Sequence, residues 1–224
     1  MPHWKEIPIH VMDFEGGVRT GVVEYGVVSL LGGNIVGAQT RLCATNAPVP
    51  QLDTQCHGLC DADLANSPPM RTSWDYFANL RREGLFCAHH APTEHGLLKA
   101  VWPYPGMMPD HAQASGTFAN DWGPWLDTCR LAAAWQPRLG DYSLSALIEW
   151  FRLGKRLEQI AETLCPPHRK RYHCALYDAL GAALLLRHLC SLPGRESFSL
   201  ETLVRDSLSN ARHADRIQGE LDLG

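Results

Sequence analysis

Ile7-Pro8-Ile9-His10-Val11-Met12-Asp13-Phe14-Glu15 is the stretch from which the rest of the chain is read. Apolar residues at 7, 9 and 11 alternate with others, which is the period of a strand, and positions 13 and 15 continue the same parity. On a strand both acids therefore share one face, about 7 Å apart. Like charges that close at the edge of a core repel, so the arrangement is costly unless a cation sits between them. Gly16-Gly17 follow at once, and backbone without side chains lets a ligand approach. A cation held by Asp13 and Glu15 is the first expectation.

The 224 residues, 45% of them hydrophobic, suit one medium-sized domain, residues 1–192, with a C-terminal helical extension, residues 193–224. A net charge of -4 supplies no global attraction to nucleic acid, so a polyanionic partner needs a local basic patch or bound metal ions. The eight cysteines form no Cys-x-x-Cys pair and read as reduced, mostly buried thiols. Cys165, His168, His173 and Cys174 have the chemistry to hold zinc but lack the paired spacing of structural zinc sites. A signal peptide and any apolar run of membrane-spanning length are both missing from the sequence, which predicts a cytoplasmic protein with no membrane partner.

Beyond the first strand, Gly21 to Leu30 reads as a second strand, and Gly32-Gly33 turns the chain into a third, Asn34 to Leu42. Residues 46–68 are rich in Pro, Asp, Asn and Gly and predict a loop with at most a short helix after Gln55-Cys56-His57-Gly58-Leu59. Met70, Trp74, Phe77 and Leu80 recur at helical spacing, and Gly84 stops that helix before the short strand Leu85 to Ala88. A helix from Ala91 to Trp102 completes a β-α step; Trp125 to Thr128 and a helix through Trp135 make another, with Asp127 or Thr128 as N-cap. Residues 103–124 show no periodicity and read as a lid or a mobile loop. Helices are predicted over Ser143 to Leu153, Lys155 to Leu164 and Ala175 to Leu189. Another is predicted over Ser199 to about Gln218, packed on the domain, on a protein partner or on a second copy. The fold class is α/β: a mixed sheet, antiparallel meander plus parallel strands, flanked by helices.

His173 and Asp178 are five residues apart, about 140° around a continuous helix, so they converge only if a helix begins between them. Pro166-Pro167 and the basic turn Arg169-Lys170-Arg171 favour such a start. Small Gly181 and Ala182 would let that helix approach the acidic strand closely. Glu94 supplies another carboxylate where a strand gives way to a helix.

These segments resemble the DEDDh subgroup of the DnaQ-like 3'-5' exonucleases. Asp13-Phe14-Glu15-Gly16 is similar to the first motif, Ala88-His89-His90-Ala91-Pro92-Thr93-Glu94 to the second, and His173-Cys174-Ala175-Leu176-Tyr177-Asp178 to the third. Glu24-Tyr25-Gly26-Val27-Val28, His57-Gly58-Leu59, Leu126-Asp127-Thr128 and Tyr142-Ser143-Leu144 extend the resemblance over about residues 7–190, in the same order. Two departures from the pattern stand out. Glu94 stands where the family has Asp, and His90 and Thr93 stand where it has an Asn-type residue and an aromatic. The longer Glu94 side chain moves its carboxylate by up to about 1.5 Å.

The resemblance implies a ribonuclease H-like fold and a 3'-5' exonuclease that releases nucleoside 5'-monophosphates. It further implies that Asp13, Glu15 and Asp178 hold two Mg2+ or Mn2+ ions, with Glu94 assisting and His173 as general base. Phe14, Gly16, His57 and His90 would meet the terminal nucleotide, and the run at 169–171 could bind phosphates. Nucleic acid, DNA ahead of RNA, is the partner this implies. The competing reading is a nucleic-acid-binding or protein-docking module that keeps the fold and has lost catalysis.

Overall fold

The computed structural model describes residues 2–113, 116–195 and 197–209. Three strands, β1 (Ile9–Gly17), β2 (Gly21–Leu31) and β3 (Asn34–Leu42), form the predicted antiparallel meander. β4 (Leu85–Ala88) pairs parallel with β1, and β7 (Trp125–Asp127) pairs parallel with β4. The sheet order is β3-β2-β1-β4-β7. Helices α4 (Ala91–Val101) and α5 (Thr128–Trp135) follow β4 and β7 as β-α steps, and α6 (Leu144–Trp150), α7 (Gly154–Leu164) and α8 (Ala175–Cys190) succeed them. The predicted α/β mixed sheet flanked by helices is what forms.

Both faces of β1 are buried along its first half. Ile9 and Val11 enter the core that contains α8, whereas Met12 and Phe14 enter a second core with Tyr25, Phe77 and Phe86. α8 is apolar almost all round and, apart from Arg187 and His188, entirely buried, as a helix without a polar face must be.

Several elements differ from the sequence reading. β1 starts two residues later and runs two further, because a bulge between Glu15 and Gly16 carries the pairing on to Gly17. The 46–68 stretch contains two short helices, α1 (Gln51–His57) and α2 (Asp61–Leu64), and a 3-10 turn, Met70–Ser73, precedes α3 (Trp74–Glu83).

Within the 103–124 stretch, the described residues are tied down at several points. They form a small hairpin, β5 (Met108–Pro109) with β6 (Phe118–Ala119). Fully buried Arg81 of α3 donates to the carbonyls of Trp122 at 3.0 Å, Pro109 at 2.6 Å and Gly123 at 2.5 Å. Nε and both terminal nitrogens of one planar head thus hold three carbonyls of this stretch together. Sequence periodicity cannot register a strap that runs through a single arginine.

α9 (Leu200–Ser209) spends its apolar face on its own domain, with Leu200, Leu203 and Val204 in the α8 core and the Ser207 hydroxyl accepting the Asp127 N–H at 3.1 Å. The rest of the predicted tail helix, to Gln218, lies outside the described residues. Among those residues no helix is long and apolar enough to cross a membrane.

The closest approach between α8 and the sheet at a glycine occurs at Gly26, not at Gly181. A Cβ at Gly26 would fall inside the backbone of Ala175 and Leu176, whereas one at Gly181 would face Leu144 and Leu157 of α6 and α7. We expect Gly26→Ala to lower stability by about 3 kcal/mol, the overpacking range when backbone rather than side chain must yield. Chemical denaturation measures it, and an unchanged midpoint would show that α8 is not seated on β2.

Candidate active site

One stripe of β1 and β2 faces α8. Cross-strand partners along it are Ile9 with Leu30, Val11 with Val28, Asp13 with Gly26 and Glu15 with Glu24. The stripe is apolar for two rows, then loses its side chain at Gly26, then turns acidic. α8 begins over that gap, so its first turn lies against the acidic end of the strands.

The start of α8 explains how His173 and Asp178 meet. His173 takes φ 61°, a left-handed conformation that is uncommon outside glycine but that histidine adopts more readily than most residues. Its backbone N–H is held at 2.9 Å by Oδ2 of Asp178, which sits in the first turn of α8. Donor atoms of Glu15, His173 and Asp178 lie within 4.8 Å of one another, with His173 exposed and Asp178 buried. The helix thus begins between His173 and Asp178, as their spacing requires.

Glu94 arrives from α4. The ladder between β1 and β4 stops at Val11 and Cys87, and beyond it the buried Glu94 carboxylate accepts the Phe14 N–H. That places Glu94 beside Asp13 and Glu15.

The carboxyls perturb one another strongly. Burial first, then the charges of Glu94, Asp178, Glu15 and Glu24, hold Asp13 well above the ordinary carboxylate range. Burial, Asp178 and Glu24 raise Glu15 to about 8, against the pull of Arg169 and Arg171. Glu94 is pushed well up by burial and by Glu15, and burial raises Asp178 to about 7 despite the His173 N–H. Oδ1 of Asp178 and Oε2 of Glu94 are buried without a hydrogen-bond partner. Unpartnered carboxylate oxygens in a crowded anionic cluster fit a hard divalent cation, which prefers oxygen ligands.

Other expected contacts are placed differently. The Phe14 ring is 6% exposed and packs edge-to-face on Phe77 at 5.8 Å, so it fills the core and is not free to stack on a base. Gly16, at φ 120°, is required by the bulge, since a Cβ there would strike the Gly21 carbonyl. His57 is buried at the end of α1; its Nδ1 accepts the Leu59 N–H at 3.1 Å and its carbonyl accepts from Arg169 at 2.5 Å. His90 is half-buried in a left-handed conformation at the N-cap of α4.

The basic run turns partly inward. Arg169 pairs with Glu24, Lys170 with Glu162, and Arg171 donates to the Cys56 carbonyl at 3.1 Å. Arg169 is withdrawn into its pair with buried Glu24, whereas Arg171 stays exposed and Lys170 pairs with an exposed Glu162, so two of the three cations keep access to solvent. Asp127 is a cap: it accepts from Cys129 and Arg130 at the start of α5 and from His90 and Ala91 at the start of α4.

Among the described residues, Cys165, His168, His173 and Cys174 do not gather as ligands. His89, His90 and Cys129 do, but both ring nitrogens of His89 are committed, to the Thr128 hydroxyl at 2.9 Å and the Tyr142 carbonyl at 3.0 Å. The role of Glu24 escaped the sequence reading. Its signal was present: one acid amid Val22, Val23, Tyr25, Val27 and Val28, two residues before a glycine.

No protein-family model matches the chain, and comparison with curated proteins finds no match. Solved structures do resemble it. Exonuclease X in complex with 5' overhanging duplex DNA superposes with a TM-score of 0.64 at 22% identity, over 89% of this chain and 99% of that one. The nuclease domain of 3'hExo, a DEDDh family member bound to rAMP, superposes with a TM-score of 0.60 at 12% identity, over 87% and 96%. The E. coli ExoI-ssDNA complex reaches 0.57 at 9% identity, over 85% of this chain and 42% of that longer one. The chain therefore has the ribonuclease H-like fold of these exonucleases.

Because the raised carboxyls keep protons in the folded state that the unfolded chain releases, their contribution to stability is present at acid pH and is lost as pH rises through the folded values. We expect the melting temperature in EDTA to decline from about pH 7 to about pH 8, above the range in which buried His10 and His89 contribute the opposite slope, Mn2+ to restore it most at the upper end, and Asp13→Asn to flatten the slope. A midpoint in EDTA that is level across this window would rule out a strained anionic cluster.

Proposed function

We propose that this protein is a metal-dependent 3'-5' exonuclease that hydrolyses phosphodiester bonds at single-stranded or frayed ends and releases nucleoside 5'-monophosphates. The observation that carries the reading is that Glu15 and Asp178, from β1 and α8, lie with the exposed His173 imidazole within 4.8 Å of one another, and that the charges of Asp13 and Glu94 are near enough to perturb the same cluster. Asp13, Glu15 and Asp178 would hold two Mg2+ or Mn2+ ions, with Glu94 assisting through water. When bound, such a pair supplies charge stabilisation for the attacking and leaving oxygens of the phosphodiester.

The chain's own residues do the rest. His173 takes the proton from the attacking water, a role suited to an imidazole that is exposed and carried on a short turn. Asp178 fixes that turn through the His173 N–H. Gly16 and half-buried His90 are the expected substrate contacts that keep an open face, while Phe14 and His57 support the site from within.

DNA is the first substrate to test, since the DNA complex of exonuclease X is matched over nearly that protein's whole length. Eight free thiols support a reducing, cytoplasmic setting. We take residues 1–192 as the exonuclease unit and 193–224 as an extension, of which α9 packs on it.

The decisive experiment uses 5'-labelled and 3'-labelled oligonucleotides with Mg2+ or Mn2+. The 5' label should report a ladder shortening from the 3' end, the 3' label should be released as mononucleotide, and EDTA should abolish both. Asp13→Ala should eliminate cleavage, and His173→Ala should lower kcat by about 10²–10⁴-fold. Measurable binding without cleavage in either metal would instead indicate a docking module.

A further inference from the structure

We infer that Glu24 and Arg169 form a positioning unit that sets His173 against Glu15 and Asp178; the kinetic part of this inference rests on the nuclease reading, the structural part does not. Glu24 stands opposite Glu15 on β2 and is 2% exposed. Both of its oxygens are taken by Arg169: Nε donates to Oε1 at 3.1 Å, and Nη2 donates to Oε2. Oε2 also accepts the backbone N–H of Ala175 at 3.0 Å, the first residue of α8. The remaining arm of Arg169 donates to the His57 carbonyl at 2.5 Å.

The consequence lies in what hangs between these bonds. His173 is two residues before Ala175, in a left-handed conformation, with its N–H on Asp178. One carboxylate therefore holds the helix start after the imidazole, and another holds the imidazole's own backbone. α8 has no side-chain N-cap of its own, so Glu24 reaches from β2 to satisfy one of the N–H groups a helix start leaves unpaired. Through Arg169 the same carboxylate grips the end of α1, so that loop and the His173 turn share one anchor. A bidentate pair has the directionality to fix such a geometry, which a point charge lacks. Glu24 and Arg169 act through His173 and need not touch substrate.

The test uses the full chain carrying Glu24→Gln, which keeps the size and the acceptor for Ala175 but loses the charge-assisted pair. We expect kcat to fall about 10–100-fold with KM for a 3'-ended oligonucleotide changed less than about twofold. In a His173→Ala background the same substitution should cost almost nothing more, because it acts through the imidazole. Hydrogen–deuterium exchange over residues 172–178 should accelerate while β4 stays protected.

An unchanged kcat, or an equal loss in both backgrounds, overturns the inference while leaving the nuclease reading intact. If the wild-type protein does not cleave, the nuclease reading fails and exchange alone decides: acceleration confined to 172–178 supports the anchor, and unchanged exchange refutes it. Should Glu24→Gln fail to fold, Arg169→Lys, which keeps the charge but not the fork, carries the same measurements.

Discussion

The backbone of α8 rests directly on β2 at Gly26, and nearly everything that makes the site possible follows from that contact. Any side chain at this position would lift the helix start off the sheet. Asp178 would then stand back from Asp13 and Glu15, and the cluster would relax into separate, solvated acids. Contact at the backbone level brings the first turn of a buried helix to the acidic ends of two strands, where the charges cannot avoid one another.

Confining like charges in this way works against folding, and the surrounding structure limits the strain. The carboxyls hold protons to pH values where free ones would be ionised, and a backbone N–H lies against each of Glu94 and Asp178. Arg169 neutralises Glu24, the acid that faces Glu15. Buried pairs of this kind add little net stability over apolar packing, yet losing one partner leaves an uncompensated charge. Their value here is geometric. Asp127 acts likewise by capping α4 and α5 together, which fixes the helix that carries Glu94.

Much of this was legible in the residues. The alternation from Ile9 onward put Asp13 and Glu15 on one face, and the five-residue spacing of His173 and Asp178 required a helix to start between them, which it does. Asp127 read correctly as a cap because an Asp before a helical pattern has a local reason to be there. The failures share a different character. Arg169-Lys170-Arg171 looked like a surface phosphate patch, but Arg169 is consumed by an acid 145 positions away. Phe14 looked available to a base, but Phe77 covers it. The 103–124 stretch looked loose, since nothing local announces that Arg81 ties it down.

Local order along the chain by itself determined the strand parity and the start of a helix between His173 and Asp178, because these depend on backbone periodicity and turn signals between near neighbours. Tertiary structure alone decided which charges face one another and which are satisfied elsewhere. Such pairings join Glu24 to Arg169 and Gly26 to Ala175 across long stretches of sequence, and their energy depends on burial and distance, neither of which exists until the chain has folded.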